Sequence, residues 1–211
     1  MTDDIVALIG AVTREVRNIE HEGKPAKVVV AARSYDTDID DLWDAISNAE
    51  RLPRWFAPVS GELRLGGRYQ VEGNASGTIT RCEPPRELSL TWEFGGGVSW
   101  VNVILRAEGP ERTHLELQHI AHPEAHWEQF GAGAAGVGWE LGLMGLVRHL
   151  RDPAAARPPE ADESWIRSPD AKRFMKLSSE GWGEAAIAAG EDAATAREAA
   201  ERTRKFYSGE A

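Results

Sequence analysis

His119 is the ionisable residue whose type and position most readily support chemistry. It alternates with Leu115 and Leu117, so all three side chains fall on one face if the segment is a strand. A neutral imidazole on such an apolar face could act as a general base or hydrogen-bond a ligand. A histidine there is more often a core residue whose hydrogen bonds are satisfied. We therefore treat His119 as a candidate and assign no catalytic residue.

Three residues that follow His119 are of types that bind metals: His122, Glu124 and His126. Metal ligands must converge on one point, and Pro123 prevents these side chains from sharing a helical register. The sequence therefore predicts no metal site.

The sequence gives little support for nucleophilic catalysis or for phosphate binding. Cys82 is the only cysteine, which excludes cysteine-cluster metal sites and an intramolecular disulfide, and a lone cysteine in a strand usually behaves as a small hydrophobic residue. The glycine runs at residues 95–97 and 131–133 are not followed by the Lys-Ser/Thr pair of a phosphate-binding loop. No nucleophile elbow is present. We predict no cofactor.

Aromatic residues are the other candidates for a site. The chain has 8 tryptophans among 211 residues, which is a high proportion. Trp55, Phe56, Tyr69, Trp92 and Trp139 could line a cavity for a flat apolar ligand, because large rings bury much area and lose few rotors. The same five rings could simply fill the core. Both interpretations remain open from the sequence.

The elements that must position these residues are an N-terminal helix, a hairpin, a small helix and a meander. The small helix follows Asp38 or Asp40, either of which could cap it. The hairpin consists of residues 12–19 and 27–35, and the meander of six predicted strands at residues 62–65, 68–72, 78–82, 88–94, 99–107 and 114–120. Alternation in the last strands predicts one apolar and one mostly polar face of a single curved sheet.

Residues 134–150 return to a helical pattern with Gly138, Gly142, Gly145 and His149 on one stripe. Interior glycines weaken a helix, so the stripe indicates either close backbone contact or room for a ligand. The helix is apolar on several sides, and we predict that it lies on the sheet while the C-terminal segment covers its back. That segment is predicted as a Pro/Ala linker over residues 151–163, then two helices, the first capped by Ser168.

Composition excludes several classes of partner. A net charge of −10 argues against nucleic acid and anionic membranes. No segment approaches the length of apolar residues that a membrane helix needs, and the N-terminus does not resemble a secretion signal. With one cysteine, the chain is expected to be a cytoplasmic protein.

Several motifs arrive in the order typical of one superfamily. They are WDAI, RLPRWF, LGGRY, CEPPRELSLTW and LELQH, followed by a glycine-rich helix. In this respect the chain resembles the START-like helix-grip superfamily, and within it the branch named after the C-terminal domain of the activator of the ninety-kilodalton heat-shock protein ATPase. The resemblance covers residues 12–150. It implies an α+β fold in which a curved antiparallel sheet wraps around a long C-terminal helix and leaves a cavity between them.

The domain prediction follows from this resemblance: a helix-grip domain at residues 1–150 and a helical extension at residues 151–211, packed on the domain or on a second subunit. The eukaryotic activator also has a separate N-terminal domain that engages the chaperone. The roughly 11 residues before the first predicted strand leave no room for one, so we do not expect chaperone activation.

The leading functional hypothesis is a binding protein, rather than an enzyme, for a small hydrophobic or aromatic molecule held between the sheet and the last helix. The predicted ligand contacts are Trp55, Phe56, Tyr69, Trp92, Leu117, His119, Phe130, Trp139 and Leu143. Two alternatives remain: a cyclase or isomerase that uses His119 as base, and a chaperone-related interaction module, with a homodimer or protein partner bound through the C-terminal helices.

Overall fold

A computed structural model of the chain describes residues 5–154 and 164–210. Within these residues the chain forms two compact units. The first comprises residues 5–31, 122–144 and 164–210, and the second comprises residues 32–121 and 145–154. Most of the predicted linker, residues 155–163, lies outside the described residues.

Eight antiparallel strands form one sheet. They are β1 (Thr13–His21), β2 (Lys24–Tyr35), β3 (Val59–Gly61), β4 (Arg68–Val71), β5 (Ser76–Glu83), β6 (Glu87–Phe94), β7 (Gly97–Gly109) and β8 (Arg112–Ala121). The order across the sheet is β1-β2-β8-β7-β6-β5-β4-β3. The helices are α1 (Ile5–Gly10), α2 (Ile39–Ser47), α3 (Ala125–Phe130), α4 (Gly133–Arg151), α5 (Pro169–Ala188) and α6 (Ala193–Ser208). The predicted fold class, α+β with a helix-grip arrangement, is confirmed.

Local chemistry explains where several elements begin and end. Helix α2 starts at its Asp38 cap, whose carboxylate accepts a hydrogen bond of 2.8 Å from the backbone N–H of Asp41. Gly95 and Gly96 have φ values of 60° and 84°, which suit the tight turn between β6 and β7. Helix α5 begins after Ser168, whose hydroxyl accepts from the backbone N–H of Ala171 at 3.0 Å.

One predicted strand is wrong. Residues 62–65 are not a strand, although Leu63 and Leu65 alternate with polar residues. The strand lies earlier, at β3, where Ser60 pairs with Gln70. A turn follows because the N–H of Gly67 donates to the carbonyl of Arg64 at 2.8 Å, and 60% of Leu65 is left exposed.

One helix was not predicted. Helix α3 begins two residues after Pro123, and its N-cap is Glu124. Proline is tolerated just before a helix, because the first N–H groups of a helix have no intrahelical partner. Pro123 therefore ends the preceding extended segment without preventing the helix that follows.

The first unit contains α1, β1, α3, the beginning of α4, α5 and α6. In it, a side chain at Gly136 of α4 would overlap the ring of Trp182 on α5, which is fully buried. A Cβ at Gly138 would lie 3.0 Å from the hydroxyl oxygen of Tyr207 on α6. Of the two interpretations of helix glycines, close contact is the one observed at these two positions.

Candidate functional site

The candidate site is built on one face of strands β6, β7 and β8 in the second unit. Register places Leu90 opposite Val101, and Val101 opposite His119. Alternation then assigns the remaining side chains of this face: Leu88, Trp92, Ser99, Val103, Leu105, Leu115 and Leu117. The opposite face carries Thr91, Glu93, Asn102, Glu116 and Gln118, together with the apolar Trp100, Ile104 and Ile120. We call the first set the apolar face.

Two polar side chains of the apolar face bond to each other. Nε2 of His119 lies 3.0 Å from Oγ of Ser99, and the imidazole meets the Trp92 ring edge-on with 6.5 Å between centroids. Burial lowers the pKa of His119 to about 4, so the ring is neutral at physiological pH. A neutral imidazole keeps one donor and one acceptor nitrogen, which allows it to serve as a hydrogen-bonding group for a ligand.

The lowered pKa predicts a pH-dependent stability. An imidazole with a depressed pKa in the folded state is protonated first in the unfolded chain. Its contribution is therefore complete above pH 6.5 and is lost as the pH falls toward 4, by about 3 kcal/mol in total. Urea unfolding at pH 7 and pH 4.5 measures this loss. His119→Gln should lose less stability than the wild type between these pH values.

The exposed His126 provides the control for this experiment. A His126→Gln variant should keep the wild-type pH profile. If the wild type and His119→Gln lose the same stability between pH 7 and pH 4.5, the assignment of a buried neutral imidazole is wrong.

Three predicted aromatic contacts come together in the second unit. The rings of Phe56 and Trp92 both pack against a cluster formed by Tyr69, Val71 and Ile79. The Tyr69 hydroxyl donates a 2.7 Å hydrogen bond to the carbonyl of Thr91. Tyr69 is thus fixed by the sheet, while Phe56 and Trp92 remain only partly buried.

The predicted contact Trp55 is also tied to the backbone. Its Nε1 donates to the carbonyl of Ala45 at 2.9 Å, and its ring lies 5.5 Å from that of Phe56. Leu117 is 5% exposed on the apolar face. The remaining three predicted contacts belong to the first unit.

In that unit, Leu143 is buried and Trp139 is half-buried on α4. Phe130 ends α3, with its ring 5.2 Å from that of Phe206 on α6. Its carbonyl accepts a 2.7 Å hydrogen bond from Thr203. Phe130 therefore packs against the C-terminal helix.

Two residues of β2, Arg33 and Tyr35, also belong to the site but were not among the predicted contacts. The hydroxyl of Ser34 lies 3.2 Å from Nδ1 of His114, which places Ser34 on the opposite face of the sheet and its two neighbours on the side of the apolar face. Arg33 is 8% exposed, and its guanidinium lies over the Tyr35 ring at 5.1 Å from the centroid. Burial raises the pKa of the Tyr35 hydroxyl. Ala31, Arg33 and Tyr35 occupy every second position of β2, and this alternation could have identified Arg33 and Tyr35 from the sequence.

Ser99 was also missed. A two-glycine turn between β6 and β7 predicts that Ser99 stands opposite Trp92, and this register is the one observed. Among residues 5–154 and 164–210, no three His, Cys, Asp or Glu side chains are placed to hold one metal ion. Nor does any helix in this part of the chain have the length and apolar character needed to cross a membrane.

Comparison with known proteins identifies the family of this chain. The profile of the family described as Activator of Hsp90 ATPase homolog 1-like protein matches residues 36–151. The crystal structure of CalU16 from Micromonospora echinospora is similar at 31% identity and a TM-score of 0.69, covering 84% of this chain and 99% of that one.

A second solved structure supports the fold alone. The conserved protein of unknown function EF2215 from Enterococcus faecalis is 16% identical with a TM-score of 0.62, covering 89% of this chain and 96% of that one. No curated protein matches the chain. On the profile match and on the likeness to CalU16, the chain belongs to the Activator of Hsp90 ATPase homolog 1-like family, within the START-like helix-grip superfamily.

Proposed function

We propose that this protein binds a small hydrophobic or aromatic molecule on the apolar face of β6, β7 and β8. The observation that carries the proposal is the uneven burial of that face. Leu115 and Leu117 are fully buried, whereas Leu88, Leu90 and Trp92 remain only partly buried. Apolar side chains on the inner face of a sheet are usually covered, so this partial exposure favours a surface that a ligand completes.

The pair formed by Ser99 and His119 supplies the polar part of the site. Binding sites for small molecules combine apolar walls with a few placed hydrogen-bonding groups. Because the pKa of His119 is about 4, the pair is uncharged at neutral pH. We therefore expect it to recognise a hydroxyl or carbonyl group on an otherwise apolar ligand.

Titration with apolar fluorophores tests this function, and Trp92→Ala is the informative variant. It should weaken binding about tenfold, because a large aromatic contact contributes at least about 1.4 kcal/mol. Trp100→Ala is the matched control, since Trp100 lies on the opposite face of the same sheet and pairs with Thr91. It should leave the dissociation constant within about twofold of the wild type.

Two outcomes would contradict the proposal. One is the absence of saturable binding with every fluorophore. The other is an equal loss of affinity in both tryptophan variants, which would mean that the dye binds elsewhere. Trp139, Leu143 and Phe130 stay predicted ligand contacts.

A cyclase or isomerase with His119 as base is the second candidate, and the contact of His119 with Ser99 favours it. A general base works best with a pKa near the operating pH. With a pKa of about 4, His119 is a weak base at neutral pH, so we place hydrogen bonding ahead of catalysis.

The remaining predictions concern partners and location. A chaperone-related interaction module, a homodimer formed through the C-terminal helices and a cytoplasmic location stay predictions. The interaction module becomes the leading hypothesis if fluorophore binding fails.

A further inference from the structure

A second concave site lies in the first unit, between helices α5 and α6. The two helices come close at Gly183, where an added Cβ would lie 3.1 Å from the Cβ of Ala200. Around this contact is a groove with a volume of about 770 Å³. The groove has the size of a small-molecule site, although its walls are charged rather than apolar.

The arginines of the groove are already paired. Arg204 on α6 binds Glu201 at 2.8 Å and Glu210 at 2.9 Å, and Arg197 lies 3.4 Å from Glu184. Three of the four acidic residues that line the groove, Glu184, Glu201 and Glu210, take part in these pairs. The arginines are therefore not the groups that an added ligand would meet first.

The lysines of the groove are different. In the described part of the chain, the ammonium groups of Lys172 and Lys176 form no ion pair and no hydrogen bond. The fourth acid, Glu180, likewise forms no ion pair there. Two positive charges thus face one negative charge, and the lysine end of the groove has a local excess of positive charge.

Ser179 lies on the same stripe of α5, three residues after Lys176. It is 1% exposed, and among the described residues its Oγ has no hydrogen-bond partner. A buried hydroxyl without a partner is destabilising, and an acceptor in the groove would remove that cost. Residues at spacings of four and three lie on one side of a helix, so the two ammonium groups and this hydroxyl line the same wall.

We infer that the groove between α5 and α6 binds an anionic molecule whose carboxylate or phosphate oxygens accept from Lys172, Lys176 and Ser179. Oxyanions are the acceptors that ammonium and hydroxyl donors bind most strongly. The net charge of −10 does not prevent this, because charges beyond about 8 Å are largely screened at physiological ionic strength. The site is separate from the apolar face and does not depend on the proposed function.

Calorimetric titration of the full chain with inorganic phosphate and with citrate at physiological ionic strength tests the inference. We expect saturable binding of at least one of them, and the stronger of the two indicates whether phosphate or carboxylate is preferred. Lys172→Gln/Lys176→Gln should weaken binding at least about tenfold, since two charge-assisted hydrogen bonds are lost. Lys24→Gln/Arg173→Gln removes the same charge outside the groove and should change affinity less than about twofold.

Ser179→Ala is the second variant. It should weaken anion binding about threefold to tenfold, which corresponds to one hydrogen bond, without lowering the melting temperature. The inference is overturned if neither anion binds saturably or if both double variants lose affinity equally. It is also overturned if Ser179→Ala binds as the wild type does, because the hydroxyl would then not face the ligand.

Discussion

Replacing Glu140 by alanine is expected to lower the free energy of unfolding by about 3 kcal/mol, because it removes the buried carboxylate that pairs with the largely buried guanidinium of Arg14. Glu140 is on α4 and is 1% exposed. Its two carboxylate oxygens accept from Nε and Nη2 of Arg14 at 2.6 and 2.9 Å. Removing one member of a buried pair costs more than the pair itself contributes.

The environment of this carboxyl explains why breaking the pair is expected to lower the stability of the fold. Burial raises the pKa of Glu140, although the neighbouring Arg14 favours the charged form. Arg14 also donates to the carbonyls of Val12 and Ile9, both at 3.1 Å. Loss of the carboxylate would therefore disturb the junction between α1 and β1 as well as the contact with α4.

The control is the exposed ion pair of Glu15 with Arg17, whose atoms approach to 2.6 Å. Glu15→Ala should change the free energy of unfolding by less than about 1 kcal/mol, because solvent screens exposed pairs. Urea denaturation followed by tryptophan fluorescence measures both variants. A loss of under 1 kcal/mol for Glu140→Ala would show that the pair is not buried as described.

Gly136→Ala is expected to destabilise the protein by at least about 2 kcal/mol, against the usual preference of helices for alanine. The new Cβ would overlap the ring of Trp182, which is 0% exposed. Alanine gains about 1 kcal/mol of helix propensity, so the steric cost must exceed that gain.

Two measurements isolate the steric cause. Gly10→Ala is the matched control, because no atom lies within 4 Å of the added Cβ, and its effect should stay within about 1 kcal/mol. In a Trp182→Ala background, Gly136→Ala should be neutral or stabilising, because the ring that it meets is gone. Equal destabilisation by Gly136→Ala in both backgrounds would contradict the contact.

Sequence patterns predicted the elements whose causes are local. The cap at Asp38 and the alternation that defines the apolar face both depend on residues a few positions apart. The wrong strand has a local origin too, because the alternation around Leu63 resembled a strand. The predicted ligand contacts depend on tertiary packing. The alternation along the strands indicates only which side of the sheet each residue faces.

By itself, then, the sequence determined the fold class, the strands of the meander and the face to which His119 belongs. Only the tertiary structure decided which partners those residues meet. Arg14 and Glu140 are 126 positions apart, and the Ser99 hydroxyl of β7 contacts His119 on the neighbouring strand β8, 20 positions away. The physical reason is that hydrogen bonding and side-chain periodicity act over a few residues, whereas burial of a carboxylate or a ring depends on which distant segments pack around it.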